Sequence, residues 1–299
     1  MKLYLSTEGS DTNPGTEAAP FATLDRARKT IRASGKQGKE PITVILRGGV
    51  YYLDTPFILT TEDSGTEEGA VTYRACESEN VTLHGGVKLD CRWKPYRDNL
   101  LMCSLSDDLT IDQLFADGKR QVPARYPDRD DSDSEKYTGY IQAAGAIEDD
   151  VPSPCPNPDE DMTYPNQPKR GIVFDPDTFS KKQWARPEEA RIHIYQAHYW
   201  GNLQWQVKQV DRDTNRIWFG DGGHQLGAQY SHSPAAVNER SRFFVENIFE
   251  ELDTPEEWYF DREQRILYWI PSPGVNPETA VMEVSQLQRL IDFQGTQKR

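Results

Sequence analysis

The sequence predicts a mainly β protein: the start of a right-handed parallel β-helix with an N-terminal capping helix, interrupted by an inserted antiparallel, β-sandwich-like domain. Three observations predict it. Pro41–Thr60 (PITVILRGGVYYLDTPFILT) holds a β-branched run at Thr43–Leu46, a break at Gly48-Gly49, a resumption over Val50–Leu53 and a second run at Phe57–Thr60 after Pro56. Short apolar runs bounded by Gly and Pro read as two strands with a corner between them. Val71-Thr72-Tyr73 and Val81-Thr82-Leu83 continue at the same rhythm, as successive windings of a coil do. From Lys88 onward the runs lengthen, alternate and turn on hairpin dipeptides instead.

Taken in order, Leu3–Ser6 reads as a short strand and Glu8–Gly15 as a polar, turn-rich loop. Ala22–Ala33 (ATLDRARKTIRA) is the clearest helix: Thr23 can cap it, Leu24, Ala27 and Ile31 recur at helical spacing, and Gly35 follows its end. An amphipathic helix ahead of the first coil suits a plug, because a stack of coils cannot leave its first layer open to water. Gly85-Gly86 marks a corner after the last coil strand. Cys91–Tyr96 and Leu100–Ser104 read as an antiparallel pair, and Gln113–Val122 as a hairpin around Asp117-Gly118, a strong turn dipeptide.

Asp128–Lys136 is a charge run. As an EF-hand calcium loop it would need glycine at the sixth position and glutamate at the twelfth. Those positions hold Asp133 and Gly139, so a solvated loop is the reading that stands. Asp149–Pro168, with prolines at 152, 154, 156, 158, 165 and 168, is a long surface loop. Structure resumes at Gly171–Phe174, with short helical stretches expected near Phe179–Trp184 and Glu188-Glu189. Arg191–Tyr195 alternates as a half-buried strand, Ile192 and Ile194 facing inward and Arg191, His193 and Tyr195 outward. Val207–Phe219 is a hairpin turning at Asp213–Asn215, and Phe243–Asn247 opens a helical stretch running to Leu252. Glu257–Phe260 and Ile266–Ile270 form another hairpin, and Val281–Val284 and Leu290–Phe293 return as coil strands.

The resulting organisation is nested: coils with the cap helix over 1–88, the antiparallel β domain over 89–272, and coils again over 273–299. Because a parallel stack needs each coil covered by the next, the last strands are expected to continue into coils of a longer protein.

Bulk composition narrows the partners. The chain has 299 residues and a net charge of −14, from 48 acidic and 34 basic residues. Nucleic acid and anionic membranes need a basic face and are excluded as expected partners. No apolar run reaches the roughly 18 residues of a membrane span, and MKLYLSTEGS contains no signal-peptide h-region. Cys76, Cys91, Cys103 and Cys155 form no C-x-x-C pair and no zinc pattern with histidine, so neither a metal nor a cofactor is predicted. Cys91 and Cys103 flank a hairpin and can pair in an oxidising compartment; free, buried thiols are the other reading. Neither a G-x-S-x-G nucleophile elbow nor a phosphate-binding glycine loop is present.

Several motifs together resemble a known family. Leu3–Gly15 (LYLSTEGSDTNPG), followed by Pro20–Leu24 (PFATL) and an Ala/Arg-rich helix, resembles the opening of carbohydrate-active parallel β-helix proteins, and Val44–Tyr52 (VILRGGVYY) resembles their first coil. Phe115–Gln121 (FADGKRQ) with Ala124–Pro127 (ARYP), and Trp258–Asp261 (WYFD) with Leu267–Trp269 (LYW), resemble motifs of their inserted β domain. The combination is similar to glycoside hydrolase family 141 (fucosidase and xylanase activities) and more distantly to the family 120 β-xylosidases. The resemblance implies a glycoside hydrolase acting on plant or algal polysaccharide, from a secreted or periplasmic parent. It also implies that the acidic catalytic residues lie on coils beyond Arg299, so no catalytic residue is assigned within this chain.

Candidate contacts to an oligo- or polysaccharide follow. His193 and Tyr195 project with Arg191 from the polar face of a strand and can hydrogen-bond sugar hydroxyls; an ordinary solvated face is the plainer reading. His198, Trp200 and Trp205 follow that strand, and an indole face suits the C–H side of a pyranose; a core role is equally open to the tryptophans. Arg125 and Tyr126 lie in a family-like motif and can contact substrate at a rim or link domains. Three classes of function remain: hydrolase portion, non-catalytic carbohydrate-binding module, and structural β-helix segment. A polysaccharide lyase is the alternative enzyme, disfavoured because a net charge of −14 repels an anionic polymer.

Overall fold

A computed structural model describes residues 1–105, 109–130, 138–147, 171–179, 182–197, 199, 201–223 and 237–295. The loop over 149–168, most of the charge run over 128–136, Cys155, His198, Trp200, His224 and His232 lie outside the described residues. The chain is mainly β and divides into two compact units: Met1–Leu89 with Asp108–Asp112 and Met282–Arg299, and Asp90–Asp107 with Gln113–Val281.

In the first unit, β1 (Lys2–Leu5) leads to helix α1 (Leu24–Ser34), then β2 (Ile42–Leu46), β3 (Gly49–Tyr52), β4 (Phe57–Thr60), β5 (Val71–Ala75), β6 (Val81–His84) and β7 (Gly86–Lys88). β2 lies between β1 and β5, parallel to both, with Leu3 opposite Val44 and Val44 opposite Tyr73. β6 returns beside β3, also parallel, with Tyr51 opposite Leu83. The stretch Pro41–Thr60 is therefore three strands rather than two, and the chain beyond it comes back alongside the first two in order. Leu3, Leu5, Phe21, Ile42, Val44, Leu46, Tyr51 and Phe57 pack into one core with the helix residues Leu24, Ala27 and Ile31.

The helix is where its sequence places it. Thr23 Oγ1 accepts a hydrogen bond from the Arg26 amide at 3.1 Å and donates to Asp11 at 2.7 Å. Gly35 closes the helix at φ 63°, a left-handed conformation that glycine enters without a Cβ penalty. From the last turn Arg32 Nε reaches Asp63 at 2.7 Å, in the turn that follows β4.

The second unit opens with the pair β8 (Lys94–Arg97) and β9 (Leu100–Ser104). The hairpin of β10 (Leu114–Ala116) and β11 (Lys119–Arg120) follows, and both its turn residues, Asp117 and Gly118, have positive φ, which the two-residue turn requires. Next come β12 (Val122–Pro123), β13 (Arg125–Tyr126), β14 (Ile141–Gln142), β15 (Gly145–Ile147), β16 (Gly171–Val173), the single turn of α2 (Pro176–Phe179), β17 (Arg191–Tyr195), β18 (Asn202–Asp211), β19 (Arg216–Gly222), β20 (Arg242–Glu246), β21 (Glu257–Asp261) and β22 (Ile266–Trp269).

Among the described residues these strands, β10 and β11 apart, build two sheets. One has five strands in the order β12-β21-β22-β9-β8, antiparallel except for the β12–β21 pair. The other is an antiparallel sheet along β13-β20-β17-β18-β19-β16-β15, with β14 also on β20. Its inner side carries Ile192, Ile194, Leu203, Trp205, Ile217, Phe243 and Val245, packed with Phe174, Phe179 and Trp184.

Two sequence expectations are corrected. Phe243–Asn247 does not open a helix: Arg242–Glu246 is β20, held between β13 and β17, and only Phe249–Glu251 makes a short 3-10 turn. Cross-strand hydrogen bonding and burial of Phe243 and Val245 override any local helical preference. The return strands also differ from each other. β24 (Ile291–Gln294) runs parallel to β4, whereas β23 (Met282–Ser285), expected as a coil strand, runs antiparallel to β7.

Candidate functional site

The second unit's larger sheet places polar and aromatic groups on one side in rows. Directly opposed residues of antiparallel strands point to the same face. The register puts Arg125 opposite Glu246, Glu246 opposite Arg191, and Arg191 opposite Gln206. The next row is Phe244, His193 and Gln204, and the next pairs Tyr195 with Asn202. The face is thus assembled from four strands, β13, β20, β17 and β18.

Its centre is tightly organised. His193 Nε2 lies 2.8 Å from Glu246 Oε1, and Arg191 Nη1 lies 3.7 Å from the same oxygen. The imidazole stacks on Phe244. The Arg125 guanidinium lies 3.5 Å from the centroid of that phenyl ring and donates from Nε to the Pro127 carbonyl at 2.9 Å. Tyr140 stands edge-on to Phe244 at 5.2 Å and continues to Tyr195 at 5.5 Å, and Tyr195 continues to Tyr199 at 6.2 Å. Burial holds the Arg125 pKa below the usual arginine range, an effect partly offset by nearby acidic groups.

Of the residues singled out from sequence, Arg125, His193 and Tyr195 come together on this face. Arg125 is only 7% exposed, with its guanidinium packed over the Phe244 ring. Tyr126 and Trp205 belong to the opposite side. The Tyr126 ring packs against Phe179 at 5.6 Å and lies under the Lys182 ammonium at 3.8 Å. Trp205 is 4% exposed and stacks on Phe219 at 4.3 Å, the core role, which leaves its ring no open face for a sugar. His198 and Trp200 are not among the described residues.

Phe244, Glu246 and Tyr140 were not anticipated. The signal for the first two was present: in RFFVE, Phe243 and Val245 alternate with Phe244 and Glu246, which puts the latter pair on the outer face once the segment is a strand. The assembled face offers one carboxylate, an imidazole, side-chain amides and phenols, a set suited to hydrogen-bonding hydroxyls beside aromatic edges. Among the described residues no group of three or more His, Cys, Asp or Glu side chains is placed to hold a metal ion. No helix among them is long and apolar enough to cross a membrane.

Comparison with known proteins adds a fold relationship. No family model matches the chain. An uncharacterized Bacillus subtilis (strain 168) protein, YwoF, is 39% identical over 83 residues, which is 28% of this chain and 15% of that protein. A solved structure described as "Glycoside hydrolase" superposes on 99% of this chain with a TM-score of 0.73 and 24% identity. A second, described as the complex structure of XylC with xylose, has 14% identity and a TM-score of 0.34, too low to compare folds. The chain spans 47% of the first structure's length and a much smaller share of YwoF. It shares the mainly β fold of that glycoside hydrolase structure over almost its whole length.

Proposed function

We propose that this chain is a portion of a carbohydrate-active β-helix enzyme, a glycoside hydrolase of plant or algal polysaccharide similar to family 141, with its main catalytic coils outside this chain. The observation that carries the proposal is the TM-score of 0.73 over 99% of the chain to a structure described as a glycoside hydrolase. The first unit supports the β-helix part. β2, β3 and β4 each have a parallel partner, and β5 and β6 return beside β2 and β3 in the same order, as one coil laid on another. The motifs at Leu3–Gly15 and Phe115–Gln121 point the same way. A secreted or periplasmic parent follows from a polysaccharide substrate.

For the chain itself we assign binding rather than cleavage. Glycoside hydrolysis takes two carboxyl groups flanking the scissile bond. The described face around His193 has one, Glu246, and it is engaged by His193 and Arg191. Tyr195, His193 and the neighbouring amides are the proposed sugar contacts. A glycan array probed with the chain and with its Tyr195→Ala and His193→Ala variants tests this. Retention of a plant or algal glycan that either variant weakens is the expected result. Failure of the chain to retain any glycan overturns the reading.

A further inference from the structure

The second unit contains a cleft of about 420 Å³ that includes none of the residues discussed as sugar contacts so far. Its volume falls within the roughly 300–1,000 Å³ range of small-molecule sites. One wall is an edge-to-face aromatic cluster: Tyr96 meets Tyr268 at 5.1 Å and Phe249 at 6.0 Å, and Phe249 meets Tyr268 at 4.9 Å. Tyr268 is buried, whereas Tyr96 is 46% exposed. A tyrosine held on edge by two neighbours keeps a defined orientation, so its free surface is pre-organised rather than floppy.

The opposite side of the cleft is polar. Arg186 donates to Asp261 at 2.7 Å and to the Tyr259 hydroxyl at 2.8 Å, and its other terminal nitrogen lies 3.0 Å from Glu189. The Tyr259 hydroxyl in turn donates to Glu189 at 2.7 Å. This cation is therefore already committed to two carboxylates. Glu250 lines the cleft and Glu263 lies 3.9 Å from Arg186. Arg97 lies over the Phe249 and Tyr96 rings, at 5.6 and 6.0 Å. Asp261, Glu189, Glu250 and Glu263 outnumber Arg186 and Arg97, so an anionic ligand meets like charge. An uncharged ligand with one apolar face and several hydroxyls matches both walls.

We propose that this cleft is a binding subsite for neutral saccharides, with a pyranose ring against Tyr96 and its hydroxyls toward Asp261 and Glu250, and that it discriminates against uronates. The proposal rests on the reading of the chain as carbohydrate-binding, and it adds a second site and a charge preference to that reading.

The test is isothermal titration of the chain with xylohexaose and cellohexaose as neutral probes and an oligogalacturonate of similar length as the anionic one. Wild type, Tyr96→Ala, Tyr96→Phe and His193→Ala are compared, with thermal melts to check folding. The expected result is binding of a neutral probe that weakens at least tenfold in Tyr96→Ala, persists in Tyr96→Phe, and exceeds binding of the uronate at least tenfold. Neutral binding that survives Tyr96→Ala but is lost in His193→Ala overturns the subsite while leaving the proposed function standing. Uronate binding as tight as neutral binding and dependent on Tyr96 overturns the charge preference and shifts the assignment to Arg97. Absence of binding by every glycan here and on the array overturns both readings.

Discussion

The imidazole of His193 lies flat on the ring of Phe244, 4.5 Å between centroids and 8° between planes, and its Nε2 is 2.8 Å from Glu246 Oε1. One side chain of β17 is thus fixed by two alternate residues of β20. The stack sets the plane of the ring and the carboxylate sets its rotation. The neighbouring aromatic row, Tyr140 to Tyr195, continues from the same phenyl ring.

Removing the carboxylate tests how much this arrangement stabilises the sheet. The His193 and Glu246 side chains are 13% and 12% exposed, so solvent screens their contact only in part. Glu246→Ala leaves His193 without this acceptor and removes the carboxylate 3.7 Å from Arg191. A loss of about 1–3 kcal/mol in urea unfolding is expected from a charge-assisted hydrogen bond of this burial. Glu246→Gln keeps an acceptor in place and should recover more than half of that loss. An alanine variant within about 0.5 kcal/mol of wild type, the range of an ordinary surface substitution, would contradict the assignment.

Trp205 gives the opposite kind of prediction. It is buried against Phe219 and the inner side of the sheet, and Gly223 approaches its indole so closely that an added Cβ would come within 2.4 Å of Nε1. Trp205→Ala should cost about 3–5 kcal/mol of stability, as large-to-small core substitutions do. Thermal unfolding distinguishes this from a ligand contact. A substrate-stacking tryptophan at the surface would lose affinity on truncation with little change in melting temperature.

What was legible in the sequence was whatever local chemistry decides. Thr23 and Gly35 bracket α1 because capping needs only their own side chain or its absence. The alternation in Arg191–Tyr195 placed His193 and Tyr195 outward, and two buried isoleucines agree with it. The same parity test applied to Leu203, Trp205 and Val207 would have put Trp205 inside, since all three are buried and alternate with polar residues. Phe243–Glu246 resisted because Phe243, Phe244 and Val245 are apolar in succession, which masks an alternation that only Arg242 and Glu246 mark. The direction of β23 was not legible, since a four-residue run carries no mark of whether its partner is parallel or antiparallel. Bringing Glu246 to His193 depends on a register between strands about fifty residues apart, which no local pattern encodes.

Cys91 and Cys103 hold a further testable relationship. Both are free thiols, and their side chains interact directly. That contact, opposed by burial, lowers the Cys103 pKa, while the same contact together with burial pushes Cys91 up. A thiolate beside a thiol is the arrangement from which a disulfide forms once an oxidant is supplied. Diamide treatment should remove two hydrogens in mass and link the peptides containing Cys91 and Cys103. Closing so short a loop is expected to raise stability by up to about 3 kcal/mol. Cys103→Ser should abolish the link. A link from Cys91 to Cys76 instead would show that the hairpin does not hold the two sulfurs together.

Glu257 makes the stability of the second unit depend on pH. It is 2% exposed, and its carboxylate accepts from the amides of Arg125, Asp253 and Thr254 at 3.2–3.3 Å. Burial outweighs these three bonds and raises its pKa from 4.5 to about 8. Between those values the folded chain keeps a proton that the unfolded chain releases. Stability from this group is therefore complete below pH 4.5 and declines as pH rises toward 8. Glu257→Gln fixes the group in a neutral form and removes that slope, while the other titrating groups are shared by both proteins. Urea midpoints at pH 5 and pH 8.5 should show wild type losing stability relative to Glu257→Gln at the higher pH. A difference between the two proteins that does not change with pH would mean that Glu257 is ionised in the fold, held by its three backbone donors.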